Sequence, residues 1–271
     1  MKRIPGLCSL LIFFVSLTQA QQIQPQSPQQ ILDQMFAAYA ACTSYADEGQ
    51  VRVVFERREL EQQNKALPTY RRTVEIKPFA TAFVRPSNFR YELWSLRAEV
   101  RARDQQQGLR DEDRLANYMN AGGKGLWDSY IVWMSGDSVK TWWSIKPQVK
   151  DFNELGLAIA GPTGISSGSA YYVPMLLMPP LRAGHRLKSL GELKLREETL
   201  QGRAVFRIQG SDAQKKPITI WIDKETSLLL KINEKKKFSD FEAETTITYS
   251  PQINLPLPLE KLAFNLPTKN K

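Results

Sequence analysis

Gly49-Gln50-Val51-Arg52-Val53-Val54-Phe55-Glu56 alternates its side chains with a period of two, Val51, Val53 and Phe55 on one face and Arg52 and Glu56 on the other. Successive strand side chains point to opposite faces, so this reads as a strand with one buried face. The pattern recurs downstream. Val74 and Ile76 follow, then Phe89, Tyr91 and Leu93 alternating with Arg90 and Glu92. Tyr130–Met134 and Val139–Ile145 flank Ser135-Gly136-Asp137-Ser138, which predicts a hairpin. Leu193/Leu195, Val205–Ile208, Ile218/Ile220/Ile222, Leu228/Leu230/Ile232 and Thr245–Tyr249 complete the series. Neighbours joined so closely are expected to pair antiparallel, in one domain of about ten strands. A sheet of that size curls with its own twist toward a barrel, and its interior outgrows what the wall's side chains can fill.

Upstream of this stretch the period is helical. Ser27-Pro28-Gln29-Gln30 has an N-cap, a proline at the first helical position and a glutamine that completes a capping box, with Ile31, Met35, Ala38, Tyr39 and Cys42 on one face of a helix to about residue 42. Residues 1–20 read as a cleaved signal peptide: Lys2 and Arg3, an apolar core from Leu7 to Leu17, and small residues at Thr18 and Ala20. Removing them leaves 251 residues, lowers the net charge from +9 to +7 and leaves Cys42 as the sole cysteine, which excludes an internal disulfide. Residues 21–27 read as a flexible Gln-rich leader and 28–271 as a single domain. Beyond the N-terminal run no segment reaches the roughly 18 apolar residues of a bilayer-spanning helix.

Two segments interrupt the strands. From Leu96 to Gln107 two readings fit: a strand continued past a β-bulge at Leu93-Trp94, or a charged helix. Residues 104–126 look like an exposed connection. Leu155–Ala160 and Ala170–Met178 form an apolar, partly helical region with no charged residue between Glu154 and Arg182, and Gly161–Gly168 between them reads as a hinge. This region and the helix after Ser27 are the two segments able to lie across the curled sheet. They either complete a closed core or cover an apolar hollow.

Chemistry-bearing constellations are sparse. A single histidine, His185, excludes a multi-histidine metal site, no Gly-x-Ser-x-Gly elbow accompanies it, and it reads as a charged-loop residue. Cys42 reads as a buried thiol, and the glycine-rich run lacks the Lys-Ser/Thr ending of a phosphate loop. No enzymatic activity, cofactor, metal or nucleic-acid partner is expected. Scattered positive charge, densest at Lys235–Lys237 and Arg57-Arg58, suits an acidic partner or anionic headgroups.

Four stretches in order resemble the LolA/LolB-like periplasmic lipoprotein-carrier superfamily. Phe83-Val84-Arg85-Pro86-Ser87-Asn88-Phe89-Arg90-Tyr91-Glu92 is similar to its strand-bend-strand motif. Ser135-Gly136-Asp137 before Thr141-Trp142-Trp143 is similar to its Asp-Gly hairpin, Trp221-Ile222-Asp223-Lys224-Glu225-Thr226 with Leu228–Lys231 to its late hairpin, and Leu262-Ala263-Phe264-Asn265-Leu266-Pro267 to its Phe-x-x-Pro ending. The chain is longer than these carriers, mainly at residues 57–72 and 97–126. The resemblance implies an α+β fold: a half-open, strongly curved antiparallel β-barrel of about ten or eleven strands with a helical lid over its concave face. It implies a periplasmic carrier or binder of lipids or lipid-modified proteins, or alternatively an envelope-stress sensor that binds a partner protein. Acyl chains are then the expected ligand, with a membrane or an acidic membrane protein as partner. Val51, Val53, Phe55, Phe89, Tyr91, Leu93, Ile220 and Leu230 are expected to line the hollow, and Met35, Tyr39, Leu176 and Leu177 to close it. The family's motif arginine, which binds the lid backbone, falls on Arg85.

Overall fold

The computed structural model describes residues 26–57, 72–106, 126–178 and 185–266. The expected signal peptide, most of the leader and the Gly122–Gly125 run lie outside them, as does most of the extra length expected at 57–72 and 97–126. Helix α1 (Pro28–Ala41) starts as its sequence dictates: the Gln30 N–H donates to Ser27 Oγ, and the Ser27 N–H donates to Gln30 Oε1 at 2.8 Å. It buries Ile31, Leu32, Met35 and Tyr39.

The first sheet run is β1 (Ser44–Arg57), β2 (Arg72–Val84) and β3 (Asn88–Leu96), followed by helix α2 (Ala98–Gln106). Then come β4 (Trp127–Ser135), β5 (Ser138–Trp143) and β6 (Lys146–Phe152), helices α3 (Leu155–Ile165) and α4 (Tyr172–Leu177) and a 3-10 turn (Arg186–Ser189). The second run is β7 (Gly191–Leu200), β8 (Arg203–Ser211), β9 (Pro217–Asp223), β10 (Leu229–Lys237) and β11 (Phe241–Thr248), ending in β12 (Gln252–Ile253) and α5 (Leu259–Leu262). All pairings are antiparallel, in the order β6-β5-β4-β3-β2-β1-β11-β10-β9-β8-β7, with the two-residue β12 on β1. Strand β1 thus joins two meanders, and β6 and β7 end an open sheet.

The ambiguous segment after Leu96 is helical. β3 pairs with β4 in unbroken register from Phe89↔Met134 to Leu96↔Trp127, so there is no bulge at Leu93-Trp94; the apolar Trp94 simply faces the other side. The expected hairpin forms between β4 and β5, closing at Ser135↔Ser138 with Gly136 at φ +58°, where a side chain would be strained.

One face of the sheet carries the core. Val51, Val53, Phe79, Phe83, Phe89, Tyr91, Leu93, Val132, Val139, Ile208, Ile218, Ile220, Ile222, Ile232 and Ile247 form a single cluster with side chains from α1, α3 and α4. Across the opposite face runs the C-terminal strap. Trp133 Nε1–H donates to Leu262 O at 2.6 Å, Arg90 donates to Ala263 O, and Phe264 packs between Trp133 (5.4 Å between centroids) and the Lys140 ammonium (5.9 Å). Arg90, Trp133 and Lys140 are direct neighbours across β3, β4 and β5, so the strap follows a single row of side chains.

Candidate functional site: the helix-covered sheet face

Ten of the residues expected at an apolar site meet in one cluster: Met35, Tyr39, Val51, Val53, Phe89, Tyr91, Leu93, Leu176, Leu177 and Ile220. Phe55 joins from the fringe, half-buried. Leu230 does not. The β9–β10 register shifts between Leu229 and Lys231, and this irregularity turns Leu230 onto the other face, beside Val205 and Trp221, while Leu229 and Ile232 stay on the covered face.

The face is closed by the chain itself. Met35, Tyr39, Val51, Phe89, Tyr91, Leu176, Leu177 and Ile220 all have 0% accessible surface. A side chain without accessible surface touches neither bulk water nor an enclosed void large enough to hold one. Among the described residues this corrects the expectation of an unfilled hollow at these positions: side chains of α1 and α4 pack in the same cluster as the sheet face. The covering thins toward the rim, where Phe55, Tyr130, Trp143, Leu193, Leu195, Phe206 and Phe241 are half-buried. Beyond Val51 and Val53 the same face turns polar. Their β2 neighbours are Lys77 and Glu75, paired at 3.0 Å, and Arg101 of α2 reaches Glu75 at 2.8 Å.

Arg85 secures the end of α1. Its Nε–H donates to Cys42 O (2.6 Å), and its Nη2 donates to Tyr39 O (3.0 Å) and Ala40 O (2.8 Å). The last carbonyls of a helix have no partner within it, and a guanidinium presents its donors as a rigid fork, so one side chain satisfies three of them. The Arg85 backbone N–H adds a bond to Thr43 O at 2.9 Å.

Buried polar groups fix the closed arrangement: Tyr39 and Tyr91, expected at the site as apolar contacts, also bond through their hydroxyls, whereas Asp47 and Glu234 carry no signal of their own in the hydrophobic pattern. Extending the β1 alternation back from Val51 would have placed Tyr45 and Asp47 inside. Asp47 is 3% exposed; it accepts from Tyr45 Oη (2.9 Å) and from the Ser250 N–H (3.0 Å), and burial pushes its carboxyl up to about 7. Tyr39 Oη accepts from the Leu229 N–H, and Tyr91 Oη shares a 2.6 Å hydrogen bond with Ser169 Oγ. On the β10 side Glu234 faces the covered side, opposite Thr245 and Ile218. It accepts from Tyr172 Oη of α4 and from Arg186 (3.2 Å), whose other nitrogen donates to Asp212 at 2.7 Å. Burial also raises the Glu234 carboxyl. Thr81 Oγ1 and Tyr249 Oη are buried without a hydrogen-bond partner.

His185 differs from its expectation as a charged-loop residue. It is 2% exposed, ringed by Phe36, Tyr171 and Tyr172, and burial with Lys188 and Arg186 nearby lowers its pKa to about 3. A carbonyl only accepts and an amide N–H only donates, so its Nε2–H donates to Tyr172 O (2.8 Å) and Nδ1 accepts from Leu187 N–H (3.1 Å). Neutral, it ties the 3-10 turn to α4. Cys42 is buried, with Sγ 3.3 Å from Tyr39 O. Of the Gly161–Gly168 run expected as a hinge, Gly161 to Ile165 lie within the C-terminal turns of α3 and Ser166 to Gly168 form the turn that follows it, with Gly168 at φ +99°. Among the described residues no three His, Cys, Asp or Glu side chains lie together as metal ligands, and no helix is long and apolar enough to cross a membrane.

No family model matches the chain, and no curated protein matches it. Solved structures do. A DUF1329 family protein from Desulfovibrio piger matches at 10% identity and TM-score 0.33, over 87% of this chain and 97% of that one. MucB of Pseudomonas aeruginosa in its complex with MucA matches at 11% identity and TM-score 0.37, over 87% of this chain and 60% of that one. A LolA superfamily protein from Nitrosomonas europaea matches at 9% identity and TM-score 0.29, over 88% of this chain and 98% of that one.

Proposed function

We propose that the chain is a non-enzymatic periplasmic binder or carrier of acyl-bearing ligands, lipids or lipid-modified proteins, which admits an acyl chain to the covered sheet face by displacing α1 and α4. The observation that carries this reading is that the most apolar surface of the sheet is closed by two short helices, with polar contacts at Arg85, Glu234 and His185 fastening the cover. The energetics permit the exchange. Burying a long acyl chain contributes about 0.8 kcal/mol per methylene, roughly 10 kcal/mol in all. Lifting Ile31, Leu32, Met35 and Tyr39 of α1 and Val173, Leu176 and Leu177 of α4 off the sheet costs about 1.5–3 kcal/mol for each side chain, about 10–20 kcal/mol in all, so one acyl chain offsets the lower end of the cost and two chains the upper. Breaking the fastening hydrogen bonds adds to that cost, so weakening them favours the open state. The polar end of the face, at Lys77, Glu75 and Arg101, suits a headgroup.

Titration with a fluorescent fatty acid, followed by native mass spectrometry of protein drawn from an envelope fraction, tests the reading. Stoichiometric acyl ligand is expected, with tighter apparent binding in Arg85→Ala. A protein that takes up neither fatty acid nor diacyl lipid is not a carrier. A second reading, a sensor that binds a partner protein, is favoured by the open sheet edges, since β6 and most of β7 are exposed. A sensor would retain one partner in pull-down whether or not lipid is present.

A further inference from the structure

We propose that the outer face of α3, together with the β5–β6 turn, docks on an anionic lipid bilayer. The inference starts from an anomaly of patterning. A surface helix ordinarily carries charge on its outer side. α3 (LGLAIAGPTGI) carries none, and the sequence has no charged residue from Leu155 to Leu181. Its inner side is committed: Leu155, Ala158 and Ile159 lie in the core with Val132 and Val139. Its outer side presents Leu157, 60% exposed, with Ala160, Gly164 and Ile165 following at helical spacing, all exposed.

The neighbouring turn extends this patch. α3 packs along β4, β5 and β6, and a Cβ at Gly161 would stand 3.4 Å from Tyr130 Oη, which places the second half of the helix over the Tyr130/Trp143 pair. The β5–β6 turn follows Trp143 directly, and its Ile145 is 54% exposed. Two exposed lysines border the patch from the edge strand. Lys146 stands opposite Trp143 and Lys150 opposite Thr141, so both lie on the face of the sheet that α3 covers, and neither has an ion pair among the described residues. Asp151 is opposite Lys140 and belongs to the other face.

Apolar protrusions of this kind, with two cationic side chains at one border and a single exposed carboxylate, Glu154, at the start of α3, complement a membrane interface: the aliphatic tips enter the headgroup–acyl boundary while the ammonium groups meet anionic lipid. Acidic peptide would satisfy the lysines and leave Leu157 and Ile145 in water. The inference deepens the acyl-ligand reading, from which it takes only that the protein exchanges its ligand at a membrane.

Flotation with vesicles of mixed phosphatidylglycerol and phosphatidylcholine, against pure phosphatidylcholine, tests it. The wild type is expected to float with the anionic vesicles, less at raised ionic strength. Ile145→Asp/Leu157→Asp should lose at least about tenfold in partitioning, and Lys146→Glu/Lys150→Glu a similar factor. Leu259→Asp, at a leucine 81% exposed on α5, should float as the wild type does. Thermal unfolding of each variant checks its fold, and the lysine pair, already exposed, keeps the test decisive if the aspartates unfold the protein. Equal flotation with both vesicle types, an undiminished lysine variant, or an equal loss in Leu259→Asp overturns the proposal. Fatty-acid titration on the same variants should be unchanged. Vesicle binding without fatty-acid binding sinks the carrier reading and leaves the docking surface, and the converse result sinks the docking surface alone.

Discussion

At Arg85 one guanidinium meets three carbonyls at the end of α1, and hydrogen bonds to a charged donor contribute about 1.5–3 kcal/mol each where burial protects them. With the side chain partly exposed, Arg85→Ala is expected to lower unfolding free energy by about 2–4 kcal/mol in urea titration, and Arg85→Lys, a point charge without the fork, to lose about half of that. Two buried titrating groups carry opposite pH signatures. Asp47, near 3.8 when unfolded and about 7 when folded, keeps a proton in the native state that the unfolded chain has released. Between those values stability falls as pH rises, by up to about 1.4 kcal/mol per pH unit, and the deficit is complete above pH 7. His185, near 6.5 when unfolded and about 3 when folded, does the reverse: the unfolded chain binds the proton first, so stability falls as pH drops through that window. Hence the gain of Asp47→Asn over wild type should grow from pH 4 to pH 7. The difference between His185→Gln and wild type should shift in the mutant's favour as pH falls from 6.5 to 3. Parallel stability curves for wild type and either variant would mean that the buried group has no such effect.

Among the elements, those governed by local chemistry were legible in advance. The capping box at Ser27 and Gln30, the apolar stripe of α1 and the Gly136-Asp137 hairpin each depend on residues within a few positions of one another, and Ser27→Ala should cost α1 about 1 kcal/mol in thermal unfolding. What depended on strand pairing was not legible. Leu230 has the parity of Ile232 in sequence, and only the irregularity against β9 puts it on the other face. Gly49 is a further case, since nothing local marks the close passage of β1 beneath Phe79. A Cβ there would stand 2.3 Å from Phe79 Cζ and 2.5 Å from Thr248 O. Gly49→Ala should therefore destabilise by about 1–3 kcal/mol, and Phe79→Leu in the same chain should recover only part, because the Thr248 carbonyl remains. Within the candidate site, the alternation identified the apolar wall, but a hydrophobic pattern is silent on buried charge. Glu234 sits next to Lys235–Lys237 in sequence and reads as surface, yet β10 turns it inward to Tyr172 and Arg186. His185 likewise reads as a loop residue until α4 and the 3-10 turn close around it.

For the whole molecule, the carrier proposal requires that ligand and cover compete for one surface. Leu176, Leu177, Met35 and Tyr39 touch no void, so an acyl chain reaches Val51, Tyr91 or Ile220 only where these side chains leave. The helices are short, and most of a short helix's stability comes from its packed face rather than its own hydrogen bonds. Displacement should therefore unprotect their backbone as well as move it. Amide exchange with and without a saturating long-chain fatty acid reads this directly. Deprotection is expected in α1 and α4, together with the 3-10 turn that His185 ties to α4, while β1, β10 and β11 at the middle of the sheet keep or gain protection. Arg85→Ala should show part of the α1 deprotection before any ligand is added, since the carbonyls it leaves behind then turn to water. Stoichiometric binding that leaves α1 and α4 fully protected would place the chain instead on the half-buried rim at Phe55, Phe206 and Phe241, and the cover would then be a fixed part of the core.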